Sequence, residues 1–340
     1  MFFRLPLRAY SATPATAATA AAMAHGLPTQ SWVREQFRRT DDGAGGPVQT
    51  LRRSLKFWWR CWWHAKALRT STTAFEGDSL ASVIHNEPTA PLRPLRSYLR
   101  QGLSGGARAR AVQAHFTWLS CALPRPMIDR LYHGAPLELL GGSSPVEGLG
   151  LALGRSGGRG REGEMALHLE WKGQPVMTLV FSVLDGAVVA SRSDVHQLAG
   201  LRPVVGAMQG ARGTDVALRE LAAACQRLRP SALLIVGLQG LCEAWGLEAP
   251  LCVATQSHIY TGYRSRRRKV GLDYDAAWRE SGATAAGRHY WALPAAPQLR
   301  PDTEVESRKR AQHRRRNALR QDLFRAAREA AVRVTQSKIE

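Results

Sequence analysis

Val204–Ala222 reads VVGAMQGARGTDVALRELA and changes character half-way. The first half is apolar and closes a predicted strand, Pro203–Gly210. The second half opens a predicted helix, Thr214–Leu228, with Thr214 or Asp215 as its N-cap. Between them lies a loop with two glycines. Such a loop leaves backbone N–H groups facing outward to a phosphate, and the helix dipole favours an anion there. The other reading is a tight turn that needs glycine. Gln209, Gly210, Arg212, Gly213 and Thr214 are therefore the candidate cofactor-binding residues.

The neighbouring segments extend the pattern in both directions. EMALHLEW (Glu164–Trp171) alternates Met165, Leu167, Leu169 and Trp171 on one face, as a strand does. PVMTLVFSVL (Pro175–Leu184) is an apolar run, as in a buried strand, and KGQ before it predicts a hairpin turn. Downstream, PSALLIVGLQGLCEAWG (Pro230–Gly246) reads as a helix opened by proline and stopped by glycine. APLCVATQ (Ala249–Gln256) predicts a fourth strand, Asp273–Ala283 a short helix and RHYWALP (Arg288–Pro294) a fifth strand. The first half is helical by period. Ser54–Arg69 sets Phe57, Trp58, Cys61, Trp62 and Ala65 on one stripe, and Ala107–Leu123 does the same with Val112, Phe116, Leu119 and Leu123. Gly141–Glu164 is rich in glycine and reads as a loop or the turns of a weak hairpin. The expected fold is α+β, a helical N-terminal half packed on a mixed β-sheet with flanking helices. The expected divisions are a disordered leader (1–28), a helical region (29–140), an α/β core (141–300) and a basic C-terminal helix docked on that core (301–340). The leader, acid-free and rich in Ala and Thr, has a second reading as a misplaced start, with translation beginning at Met23.

The 340 residues are 44% hydrophobic, enough for a real core, and carry a formal charge of +20. Such a surface attracts polyanions: nucleic acid, anionic lipid or phosphorylated small molecules. Five cysteines and no CxxC pair argue against a disulfide framework or a zinc site, and no metal is expected. A reducing cytoplasm is the expected location, with a peripheral place at the inner membrane as its extension. No apolar run reaches the ~20 residues that span a bilayer.

RPLRSYL, EGEMALHL, GAMQG, LRPSALLIVGLQGLCEAWGL, YDAAWRESGA, YWALP and SRKRAQHRRRNAL, in that order, resemble the VirK/YbjX family of Gram-negative bacteria. The resemblance runs from about Leu51 to Ala327. It implies a domain of unknown function, whose members are linked to virulence-factor display, envelope or antimicrobial-peptide stress, and the DNA-damage response. It supplies no catalytic residues. The chain departs from it in the leader and in the Arg-rich loop Gly154–Gly163. The order of elements in the second half also resembles the GCN5-related N-acetyltransferases. There, a strand meander leads to a splayed strand, a pyrophosphate-cradling turn and a helix. That turn reads Gln/Arg-x-x-Gly-x-Gly/Ala. Here the glycines after Gln209 are off by one, and a second helix stands where one is usual. This resemblance implies an acyl-CoA cofactor and direct attack of an amine or hydroxyl on the thioester. It needs a base for the acceptor and an acid, such as a tyrosine, for the thiolate. Glu164, His258 and Tyr274 are the candidate catalytic residues. Their ordinary readings are an exposed strand end, a loop residue and a core anchor.

Three basic segments remain. TQSHIYTGYRSRRRK combines two tyrosines with Arg264, Arg266, Arg267, Arg268 and Lys269, to stack a base and grip phosphates or simply to form a solvated loop. Arg308, Lys309, Arg310, Arg314, Arg315 and Arg316 open the C-terminal helix. They read as the basic start of a docked helix, as an anion site or as a nucleic-acid arm. Trp58, Trp59, Trp62 and Trp63 stand among Lys and Arg with no acid from Leu51 to Leu68, as in an interfacial helix. The other reading buries Trp58 and Trp62 on a shared face. No GxSxG, HExxH or P-loop occurs. Three functions stay open: a VirK/YbjX-type protein of stress or envelope physiology with acyl-CoA-dependent acyltransferase activity, a non-catalytic binder of anionic lipid, and a nucleic-acid binder in the DNA-damage response.

Overall fold

The computed structural model describes residues 30–40, 46–190, 198–261, 273–299 and 301–336. Helices come first: α1 (Gln30–Thr40), α2 (Pro47–Trp63), α3 (Ala65–Thr72), α4 (Ala81–Asn86), α5 (Gly105–Ala122) and α6 (Arg125–Tyr132). The predicted Ser54–Arg69 helix is two helices, because His64 leaves helical geometry at φ −107° and ψ 21°. The Ser104 hydroxyl caps α5 by accepting the Ala107 N–H at 3.1 Å. Ala107, Ala111, Val112, Phe116 and Leu119 then fall on its buried face, and α5 packs on α3 and on the sheet.

The rest of the chain runs β1 (Leu137–Glu138), β2 (Leu149–Arg155), β3 (Met165–Trp171), β4 (Gln174–Asp185), α7 (Gly186–Ala190), β5 (Leu201–Gly210), α8 (Asp215–Ala224) and α9 (Pro230–Ala244). It continues through β6 (Leu251–Val253), α10 (Tyr274–Glu280), β7 (Thr284–Ala286), β8 (Tyr290–Ala292) and α11 (Arg310–Gln336). Among the described residues, eight strands form one sheet in the order β1-β2-β3-β4-β5-β6-β8-β7. Only β5 and β6 are parallel; the other neighbours are antiparallel. The fold is α+β, with a helical N-terminal half and the sheet in the C-terminal half.

Two expectations change. The glycine-rich stretch is not all loop: it contains β2, whose Leu149, Leu151 and Leu153 are buried and pair with Trp171, Leu169 and Leu167. The predicted fourth strand shrinks to Leu251–Val253, and a hairpin partner, β7, appears beside the fifth. α9 is buried from Leu233 to Cys242, because it packs on the sheet and α11 packs on it. Leu319, Leu323, Ala327, Ala330 and Ala331 form the buried face of α11.

Candidate functional site

β5 sets the geometry. Its register against β4 shifts between Val180↔Ala207 and Phe181↔Val205, which leaves Gly206 as a bulge. On its other edge it pairs with β6 only at Val204 and Val205, so the parallel strands part beyond that point. The chain at Glu162–Glu164 passes close by. A Cβ on Gly206 would lie 1.8 Å from the Glu162 carbonyl oxygen, and one on Gly163 would lie 2.7 Å from the Phe181 backbone. Only glycine permits both approaches.

A buried polar cluster fills this region. His258 follows β6, and its Nε2 lies 3.4 Å from Glu162 Oε1; both side chains are 2% exposed. The Tyr260 N–H donates to His258 Nδ1 at 3.4 Å, which leaves Nε2 facing Glu162. Gln209 donates to the same carboxylate at 3.4 Å. Tyr274 opens α10 and stacks on the His258 ring, with centroids 5.3 Å apart. Burial, then the nearby Glu162 charge, pushes its phenol up to about 12. The structure thus brings His258, Tyr274 and Gln209 together. Glu164 is committed elsewhere. Arg93 donates Nε to its Oε1 at 3.1 Å and Nη2 to its Oε2 at 3.3 Å. Burial outweighs Arg93 and holds the Glu164 carboxyl above the ordinary carboxylate range. The predicted exposed strand end is a buried half of an ion pair.

The helical half enters the cluster through one segment. The Tyr98 hydroxyl meets Ser182 Oγ at 2.9 Å. Arg100, 1% exposed, donates to the Tyr290 hydroxyl at 2.7 Å. Gln101 donates its amide to the His258 carbonyl at 2.8 Å.

The loop after β5 is open to solvent at Gly210, Arg212 and Gly213. Gly213 takes φ +74°, which favours glycine. The Thr214 hydroxyl donates to the Ala211 carbonyl at 2.8 Å, and Asp215 occupies the first turn of α8. In the C-terminal cluster, Glu306 pairs with Arg308 at 2.9 Å and Lys309 at 3.2 Å. Asp302 pairs with Arg314 at 3.3 Å. Arg310 donates to the Asp302 and Val305 carbonyls, and Arg316 to the Gln226 carbonyl. Arg315 is exposed. Arg264, Arg266, Arg267, Arg268 and Lys269 lie outside the described residues.

The α2 helix presents an apolar stripe outward. Val48, Leu51, Leu55, Trp58, Trp59, Trp62 and Trp63 are all exposed, Trp59 at 53% and Trp63 at 66%. The expected shared burial of Trp58 and Trp62 does not occur. Cys61, with half-buried Phe57, faces Trp32, Val33, Leu68, Leu92 and Leu95 instead. Trp59, Trp62 and Trp63 pack on one another, with centroids 5.5–6.4 Å apart. Among the described residues, no helix is long and apolar enough to cross a membrane.

Residues 47–329 match a family described as "Protein of unknown function (DUF535)". The chain belongs to this family. It is also 24% identical over 247 residues to "Uncharacterized protein YbjX" of Escherichia coli (strain K12), covering 70% of this chain and 71% of that one. The motifs quoted above therefore mark a VirK/YbjX-type DUF535 protein. No solved structure matches it. In this DUF535 chain, sequence reasoning missed Glu162, Arg93 and Arg100. The two glutamates of EGE flank Gly163, and nothing in their spacing tells which one faces His258.

Proposed function

We propose that this protein docks peripherally on anionic membrane lipid through α2. The outward stripe of four tryptophans and three aliphatic residues carries this reading. A chain with an ample core has no folding reason to expose them together. Between Pro47 and Phe75 there is no Asp or Glu, while Arg52, Arg53, Lys56, Arg60, Lys66 and Arg69 flank the stripe. Apolar rings beside cations suit the headgroup layer of an anionic bilayer.

The test is cosedimentation with phosphatidylcholine vesicles, with and without phosphatidylglycerol, near physiological salt. Trp59 and Trp63 together expose about 240 Å², taking about 200 Å² for a whole side chain. Half-insertion of that area contributes about 3 kcal/mol. Trp59→Ser/Trp63→Ser therefore weakens partitioning about a hundredfold. A double variant that binds anionic vesicles like the parent rejects the reading.

A second reading, acyl transfer from acyl-CoA, is favoured by the parting of β5 and β6 at the Gly206 bulge beside Glu162, His258 and Tyr274. In it, Glu162 is the base and Gln209–Thr214 cradle the pyrophosphate. Titration calorimetry with acetyl-CoA and longer acyl-CoAs tests it. Micromolar binding abolished in folded Gly210→Asp and Gly213→Asp variants supports it, and absence of binding by the folded parent rejects it.

A further inference from the structure

Arginines from three parts of the chain converge beside α2. Arg60 comes from α2, Arg93 and Arg96 from the segment before Ser97, and Arg161 from the turn before β3. They line a cavity of 130 Å³ together with Phe57, Leu92, Leu95, Thr89 and Ser97. Among the described residues, only Arg93 is answered by acid, from Glu164 at 3.1 Å and Glu87 at 2.9 Å. Arg60, Arg96 and Arg161 form no ion pair among the described residues. Arg161 gives its Nε–H to the Ser97 carbonyl at 3.3 Å and lies over the Tyr260 ring at 5.5 Å.

The positive charges crowd one another. Burial first, then Arg60, Arg161 and Arg93, hold the Arg96 guanidinium below the ordinary arginine range. Burial and Arg60 do the same to Arg108, and burial, Arg108 and Arg60 to His64. Folding gains nothing from such like-charge crowding; a bound anion would relieve it. The cavity is well below the ~300 Å³ of pockets that enclose a whole small molecule, so it suits one chemical group. Guanidinium forks match phosphate oxygens in pairs, and a dianionic monoester answers this much charge better than a diester. One wall is apolar, and two lining residues, Phe57 and Arg60, sit on the helix that carries the tryptophan stripe.

We propose that this cavity holds the phosphomonoester headgroup of a lipid whose chains lie beside the exposed face of α2. The proposal rests on the docking reading above and adds a lipid preference to it.

The full chain is titrated with phosphatidylcholine vesicles containing phosphatidate or phosphatidylglycerol, matched in zeta potential and followed by tryptophan fluorescence. Phosphatidate vesicles bind more tightly. Each of Arg96→Gln and Arg161→Gln lowers that preference about fivefold. Arg52→Gln and Lys56→Gln, which remove equal charge from outside the cavity, weaken binding to both lipids alike and leave the ratio between them unchanged. Equal binding to both lipids by the parent keeps the docking reading and overturns the pocket. Equal loss in all four variants overturns it too, since surface charge alone then explains binding. If neither vesicle binds, docking fails, and calorimetry with dihexanoyl phosphatidate decides the pocket on its own: no heat overturns it. Glycerol 3-phosphate binding as tightly as dihexanoyl phosphatidate overturns the lipid source in favour of a free phosphate.

Discussion

Glu164→Gln separates structural from chemical carboxylates in the buried cluster. The substitution keeps the size of the side chain and removes the charge that answers Arg93. Arg93 is almost fully enclosed and remains protonated under its two carboxylates. Breaking a buried pair by neutralising one partner costs ~3–5 kcal/mol. Glu87 still reaches Arg93 at 2.9 Å, which sets the expected loss at the lower end, about 3 kcal/mol. The double variant Arg93→Met/Glu164→Leu removes both charges and returns to within about 1 kcal/mol of the parent. Urea unfolding at pH 7, followed by far-UV circular dichroism, measures both. The pH dependence has a defined sign. The folded carboxyl holds its proton to higher pH than the unfolded one, so this group's contribution falls as pH rises through that window, and Gln removes the dependence. A loss below about 1 kcal/mol for Glu164→Gln, or additive losses in the double variant, would refute the argument.

Two further outcomes follow from buried groups. His115 accepts the Val183 N–H on Nδ1 at 3.2 Å, and burial pushes its imidazole down to about 3 from 6.5. The unfolded chain therefore takes up this proton first. Stability falls by about 1.4 kcal/mol per pH unit as pH drops through that interval. Urea midpoints of His115→Gln, which keeps an acceptor, should show a shallower acid slope, and equal slopes would contradict this. Cys121 is the one exposed thiol of the five; burial pushes Cys61 up to about 12 and Cys225 to about 11. A disulfide reagent at pH 8 should modify one thiol quickly in the folded protein, and a second fast thiol would show that the core opens.

What could be read from the sequence was periodicity. The alternation in β3 put Met165, Leu167, Leu169 and Trp171 on its buried face, and all four are buried. The buried face of α11, with Leu319, Leu323, Ala327, Ala330 and Ala331, keeps the helical period in the same way. β2 was hidden because Gly150, Ala152 and Gly154, rather than polar residues, alternate with its leucines, so that the stretch reads as a glycine-rich loop until its pairing with β3 is seen. The α2 helix is apolar on two sides, and period alone does not say which side the body covers. At the buried cluster, the strand-end position of Glu164 and the place of His258 after β6 were legible. The partners were not: Arg93, Tyr98 and Arg100 lie far away in the sequence and reach the sheet only through tertiary packing.

That crossing segment has a consequence for how the gene can be cut. The Leu99 N–H binds the Arg161 carbonyl and the Gln101 N–H binds the Ser257 carbonyl, both within 2.9 Å. With Tyr98 on Ser182 and Arg100 on Tyr290, a few residues stitch the helical half into four separate parts of the sheet half. Neither half is a transferable module. A fragment ending near residue 140 would strand a buried guanidinium, and one beginning there would lose the partners of Glu164, Ser182 and Tyr290. The two halves must be inherited, expressed and unfolded as one piece.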